Sequence, residues 1–364
     1  MAQTIISMKR LSILFFLFIS ATALAQQALP YNDTRIHYMG RVQMQNGSAV
    51  LSWSGNSATI NFNGTGADAI LSDEKGDNFL DVIVDGKVVN VIHPDTTMMK
   101  RYELVTGLPA GSHQLTLFKR TEWVMGSTRL YQFLLNKDSK PLAAPAAKKR
   151  KIEFYGNSIT CAMAVIDSSG KDRGTGPYED NYQSYAAITA RHFDAEYSCI
   201  ARSGIGVMVS WFPLIMPEMY DRLNPADPGS KWDFKNYTPD VVVINLFQND
   251  SWLVHRPEHA EFKHRFGDKA PEPAKIVSAY KDFVKNIRSK YPKAQIICAL
   301  GNMDATQKDS PWPGYIEKAV GELKDTKIYT HFFVYKNTPG HPNVKEQQAM
   351  ADELIAFIDQ HIKW

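Results

Sequence analysis

Four residues of this chain stand where they could carry acyl transfer: Ser158 in "YGNSIT", Gly204 in "ARSGIGV", Asn249 in "FQND" and His341 in "NTPGHPN". That chemistry needs a nucleophilic hydroxyl, a base to take its proton, and hydrogen-bond donors aimed at the oxyanion that develops on the carbonyl. Ser158 would be the nucleophile, and its own backbone N–H one oxyanion donor. Gly204, with no side chain to block close approach, would present a second N–H. The carboxamide of Asn249 would be a third donor, and His341 the base. Each segment also has an ordinary reading: a turn serine, a tight glycine loop, a His-Pro helix boundary. What favours the chemical reading is that all four fall, in this order, at the ends of expected strands.

Those strands are the apolar runs "KIEFYG", "EYSCIA", "DVVVINLF", "AQIICALG" and "KIYTHFF". Helical patterns separate or follow them. "DNYQSYAAITARHF" is one, and "AKIVSAYKDFVKNIRSKY" places Ile276, Tyr280, Phe283, Val284 and Ile287 on one stripe and stops before Pro292. "NVKEQQAMADELIAFIDQHI" closes the chain, with Asn343 and Glu346 spaced as a capping box. Continuous apolar strands alternating with helices predict a parallel sheet covered on both faces. In such open sheets, active groups gather at the carboxyl ends of the strands.

Residues 36–135 follow a different pattern. Short runs such as "ATINFNG", "FLDVIVDGKVVNVI" and "HQLTLFKRT" alternate with turns, and Asp85-Gly86 between two β-rich runs is a strong hairpin signal. This predicts a β-sandwich or jelly roll. "NKDSKPLAAPAAKKR" has no apolar periodicity and reads as a linker. The expected organisation is a two-domain chain: a jelly-roll sandwich over 26–135, a linker over 136–150, and an α/β domain over 151–364.

Ahead of these, Lys9 and Arg10, the run "LSILFFLFI" and the small-residue stretch "ATALAQQ" read as a secretory signal peptide cleaved after Ala25. The mature protein is therefore expected in the periplasm, at the cell surface or outside the cell, with no membrane span. Cleavage removes two cations and no acid, taking the formal charge from +3 to +1, so nothing demands a nucleic acid partner. Cys161, Cys199 and Cys298 are too few and scattered for a disulfide framework, and the last two sit in strand-like runs that predict buried, unpaired thiols. His255, His259 and His264 in "HRPEHAEFKH" read as part of a solvated loop, and acyl transfer by serine needs neither metal nor other cofactor. Trp252 and Trp312 are candidates for stacking on a sugar ring.

The blocks Gly156-Asn157-Ser158, Gly204, Asn249-Asp250 and His341-Pro342 resemble those of the SGNH (GDSL-like) hydrolases. The G-x-S-x-G elbow does not fit, because Thr160 stands where it requires glycine. The stretches "IHYMGRV", "LTLFKRTEW", "GNSITC" and "ARSGIGV" extend the resemblance over nearly all of the mature chain to carbohydrate esterase family 2, with its N-terminal jelly roll and SGNH domain. The resemblance implies removal of O-acetyl groups from plant polysaccharides such as xylan or glucomannan, with an acetylated polysaccharide or oligosaccharide as the partner. Two other classes stay open, a lipase or esterase of other esters or bacterial surface glycans and a non-catalytic sugar-binding protein.

Three positions depart from the SGNH pattern. Asn157 replaces an aspartate, Phe247 stands where the third block has glycine, and Thr338 stands where many of these enzymes carry the acid that orients the histidine. The departure at Thr338 predicts a Ser158–His341 dyad, with Asp304 as the best substitute acid and a backbone carbonyl as the default. The sandwich end "FKRTEWVMG" is expected to wall the cleft.

Overall fold

The alternating runs of the first part pair as antiparallel strands. In the computed structural model, which describes residues 27–364, Ser57–Gly64 lies against Gly111–Lys119 with Ile60 opposite Leu115 and Ala58 opposite Leu117. Asp85 and Gly86 both take left-handed backbone angles, φ +50° and +81°, and turn Leu80–Val84 into Lys87–Ile92 as the hairpin signal predicts. Two antiparallel sheets result. One contains Ser48–Leu51, Thr128–Leu135, Ala67–Asp73 and Lys100–Val105, the other Ser57–Gly64, Gly111–Lys119, Leu80–Val84 and Lys87–Ile92. Their inner faces enclose Ile60, Phe62, Leu71, Val82, Leu117 and Phe133 in one core. The signal-peptide reading falls outside the described residues.

The segment 136–150 runs along the sandwich. Lys140–Pro141 pairs with Ser57–Gly64, and Leu142 N–H donates to Asn61 O at 2.9 Å. The chain then enters a five-stranded parallel sheet. Its strands are Arg150–Gly156, Ala195–Ala201, Val241–Asn245, Gln295–Leu300 and Ile328–Phe332, ordered second, first, third, fourth, fifth. The order reverses around the first strand, which puts a crevice at its carboxyl end. Side chains alternate across this sheet: Phe154 joins the face covered by Tyr185–His192 and Val344–His361, whereas Tyr155 joins the face covered by Pro273–Lys290 and Trp312–Leu323.

One helix differs from the sequence reading. "HRPEHAEFKH" does not stay a solvated loop: Ala260–Phe266 is helical, capped by His259, with Phe262 buried. Trp312, between Pro311 and Pro313, opens a 12-residue helix; proline is compatible with a first helical turn, whose N–H groups lack partners anyway. The three cysteines are buried and free, and burial pushes the thiols of Cys199 and Cys298 up to about 12. Among the described residues no helix is long and apolar enough to cross a membrane.

The sandwich is welded to the parallel sheet through buried polar groups. Arg41 is fully buried and donates to Tyr220 O at 2.6 Å, to Arg222 O at 2.9 Å and to Glu153 Oε1 at 3.2 Å. Glu153 also accepts from Tyr155, Ser198 and Tyr291. Trp53 Nε1 donates to Leu223 O at 2.8 Å. Removing the sandwich would leave Glu153 a buried carboxylate without its cation, a defect that costs about 3–5 kcal/mol in comparable pairs.

Candidate active site

The first parallel strand ends at Gly156, where the chain turns so tightly that a β-carbon would fall 2.0 Å from Thr160 Oγ1. Asn157 caps the single helical turn Ser158–Cys161, its side chain accepting Ile159 N–H at 3.0 Å. That capping role needs a side-chain oxygen and no charge, so asparagine serves where aspartate is common. Ala162, with φ +63°, ends the turn. Ser158 Oγ emerges 2.8 Å from His341 Nε2.

His341 does not rely on a backbone carbonyl. Its Nδ1 lies 2.8 Å from Asp172 Oδ2 and 3.0 Å from Oδ1, and its own N–H donates to Asp172 Oδ1 at 2.8 Å. The dyad expectation is therefore overturned: an acid is present, supplied by the loop that follows the nucleophile. Thr338, at the usual acid position, receives Lys336 Nζ on its carbonyl at 2.6 Å and on its hydroxyl at 2.8 Å, and that hydroxyl bonds Glu346. Asp304 accepts Trp252 Nε1 at 2.7 Å. Neither faces the imidazole.

Local chemistry fixes Asp172. Its neighbour Arg173 pairs with Asp167 at 2.7 Å and stacks 3.6 Å over the Tyr178 ring, pinning the loop on both sides. Gly340 packs against the acid. It has φ +71°, and a β-carbon there would come 3.1 Å from Asp172 Cγ, so glycine makes the room the carboxylate occupies. Hydrogen bonding from His341 holds the Asp172 carboxyl below its ordinary range, against the opposing effect of burial.

The neighbouring strand ends bring up the donors. Gly156 lies in register with Ala201 on one side and Asn245 on the other, so the segments bearing Ser158, Gly204 and Asn249 leave the sheet side by side. Among the described residues the backbone N–H groups of Ser158 and Gly204 have no hydrogen-bond acceptor. Gly204 has φ +80°, and a β-carbon would press to 3.1 Å from Phe212. Asn249 is held at both ends of its amide: Nδ2 donates to Ile205 O at 2.8 Å, and Oδ1 accepts Trp211 Nε1 at 3.0 Å. One amide N–H remains.

Asp250 grips the far side of the same loop. Buried, it accepts Val207 N–H at 3.0 Å, Met208 N–H at 2.7 Å and Val209 N–H at 3.3 Å. Burial pushes its carboxyl up to about 6, and the backbone donors oppose that rise. Phe247 explains its own oddity. It keeps φ +86°, the left-handed angle that suits glycine, and its fully buried ring packs 4.7 Å from Tyr280 and 5.0 Å from Trp312.

The two tryptophans part company. Trp312 is only 4% exposed, wedged against Phe247 and Tyr315, and offers no face to a sugar; as a stacking candidate it is corrected to a core residue. Trp252 is half-exposed and borders a hollow with His255, Asp304 and Gln307, packed against the cluster that contains Ile159. Asp172 and the exposed Trp211 are the site residues that the motif search missed. A signal for Trp211 existed, an aromatic seven residues past the loop glycine, but nothing local marked Asp172.

A family model described as carbohydrate esterase 2 N-terminal matches residues 38–145. The cellulase/esterase CelE of Acetivibrio thermocellus is 35% identical over 326 residues, 86% of this chain, and the chain spans 38% of that protein's length. An acetylxylan esterase / glucomannan deacetylase of Cellvibrio japonicus is 25% identical over 92% of this chain and 90% of its own. A solved family two carbohydrate esterase from Clostridium thermocellum, in complex with cellohexaose, superposes with a TM-score of 0.79 at 34% identity, over 89% of this chain and 98% of that one. Sandwich and parallel sheet are matched together over nearly the whole of that structure, and on this ground the chain belongs to carbohydrate esterase family 2, a family of carboxylic ester hydrolases.

Proposed function

We propose that this protein is an exported serine esterase that removes O-acetyl groups from plant cell-wall polysaccharides such as xylan or glucomannan. The observation that carries the reading is the unbroken chain from Ser158 Oγ to His341 Nε2 and from His341 Nδ1 to the Asp172 carboxylate. Asp172 holds the Nδ1–H tautomer, which leaves Nε2 free to take the serine proton. The Oγ attacks the acetyl carbonyl, the proton passes to Nε2, and the oxyanion is met by the N–H groups of Ser158 and Gly204 and by the free N–H of Asn249. Collapse breaks the bond to the sugar oxygen, which leaves with the proton from Nε2. Acetyl-Ser158 is then attacked by water, His341 takes the water's proton, and acetate departs with Ser158 reprotonated.

The carbohydrate side of the reading is supported by relatives named acetylxylan esterase / glucomannan deacetylase and by cellohexaose in a related structure. Export is supported by the leader-like residues around Lys9 and Arg10. Acetate release from acetylated xylan and glucomannan, compared with hydrolysis of aryl acetate, butyrate and octanoate, tests the substrate class. A deacetylase should lose at least about 10²-fold in kcat/KM from acetate to octanoate. A preference for octanoate would make the protein a lipase instead.

Asn249→Ala should lower kcat by about 10² to 10³ with KM nearly unchanged, the usual loss for one oxyanion donor. Steady-state kinetics on an aryl acetate would show it. A raised KM at constant kcat would assign Asn249 to ground-state binding.

A further inference from the structure

Ahead of Gly204 stand Arg202 and Ser203, and both are held by the other half of the molecule. The consecutive pair Glu122-Trp123, just past the sandwich strand Gly111–Lys119, meets them, Glu122 facing Ser203 and Trp123 facing Arg202. Glu122 Oε2 accepts Ser203 N–H at 2.8 Å. The Arg202 guanidinium lies 4.8 Å from the Trp123 ring centre and 3.2 Å from that of Phe212. Glu122 is 2% exposed and its backbone is fixed as well, its N–H donating to Glu179 Oε2 at 2.8 Å and its carbonyl accepting Lys119 Nζ at 3.2 Å.

The same turn reaches the nucleophile. Cys161 Sγ, at the end of the Ser158 helical turn, lies 3.8 Å from Glu122 Oε2. Asn181 takes its place from the sandwich, donating its N–H to Arg120 O at 2.9 Å, and uses its side chain to bind Thr160 O at 2.9 Å and Cys161 O at 3.3 Å. This arrangement is costly. Burial pushes Lys119 down to about 8 and Glu179 up to about 8, and apolar residues in such places are often as stable or more so.

We propose that Glu122 is a positioning residue for the oxyanion hole, fixing the Arg202–Ser203 peptide so that the next N–H, that of Gly204, points at the reacting carbonyl. The inference rests on the esterase reading above. Asp250 anchors residues 207–209 and Glu122 anchors Ser203, so the loop is gripped by a carboxylate on each side of its donor. The sandwich thus reaches the oxyanion loop directly, through the hydrogen bond from Ser203 N–H to Glu122.

The test is steady-state kinetics on an aryl acetate together with thermal melting. Glu122→Ala should lower kcat by about 30- to 100-fold with KM within about threefold, the size of effect a displaced reacting group produces. Glu122→Gln retains an acceptor oxygen and should recover at least tenfold of that loss. Glu122→Asp keeps the negative charge but draws the acceptor back by one methylene, and should lose at least tenfold in kcat while remaining folded. A folded Glu122→Asp or Glu122→Ala with more than a third of wild-type kcat overturns the proposal, as does a glutamine variant no better than alanine. If Glu122→Ala does not fold, Glu122→Asp decides by the same threshold, and Glu122→Gln must keep at least tenfold more kcat than Glu122→Asp. Wild-type protein inert toward every acetate ester would instead overturn the esterase reading.

Discussion

Replacing Asp172 with asparagine is expected to lower kcat by about 10⁴-fold while leaving the protein folded, the loss seen when the acid of a triad is neutralised. The reason is a tautomer. In the native site Nδ1 donates to the carboxylate, and Nε2 faces Ser158 Oγ as an acceptor. In the Asp172→Asn variant the carboxamide oxygen would stay on the His341 backbone N–H, where Oδ1 now sits at 2.8 Å. The amide N–H of the new side chain would then meet Nδ1, push the ring proton to Nε2 and present the serine with a donor where it needs an acceptor. Thr338→Ala and Asp304→Asn should each cost less than about tenfold, because Thr338 is engaged with Lys336 and Glu346 and Asp304 with Trp252. Aryl acetate kinetics on the three variants separate the cases. A loss under tenfold for Asp172→Asn would restore the dyad.

Ser158→Ala should cost more still, at least about 10⁵-fold in kcat, since no acyl-enzyme can form and only the oxyanion donors and binding remain. The fold should survive, because the Ser158 hydroxyl is bonded to His341 while the backbone contact from Met163 N–H to Ser158 O, at 3.1 Å, does not involve the side chain. The readout is the burst and steady rate of aryl alcohol release, with circular dichroism to confirm folding. More than a tenth of wild-type activity would remove Ser158 from the mechanism.

The parts of this site that could be read from sequence are those whose function depends on a local turn. Ser158, Gly204 and Asn249 each follow a continuous apolar strand within a few residues, and a parallel sheet forces such ends together. His341 was readable for a related reason, standing just ahead of the Asn343–Glu346 capping box that starts the last helix. Asp172 was not. It lies in "IDSSGKDRGTGPY", among other charged and glycine residues, with no periodicity, and its partner is 169 positions away. Contacts such as the Asp167–Arg173 pair and the Tyr178 stack hold that stretch toward the histidine, and they leave no spacing rule. The parallel sheet and its two helical layers followed from apolar runs. Prolines on both sides of Trp312 give its helix no clear periodic start, and Trp312, a stacking candidate in sequence, is core in the fold.

At Gly340 a β-carbon would come within 3.1 Å of Asp172 Cγ and would sit at φ +71°, so a residue other than glycine immediately before the histidine would press on the loop that brings the acid. The two positions are thus coupled through space although 168 residues separate them in sequence. Gly340→Val should therefore loosen the Asp172–His341 contact, which a fall in kcat on an aryl acetate would report.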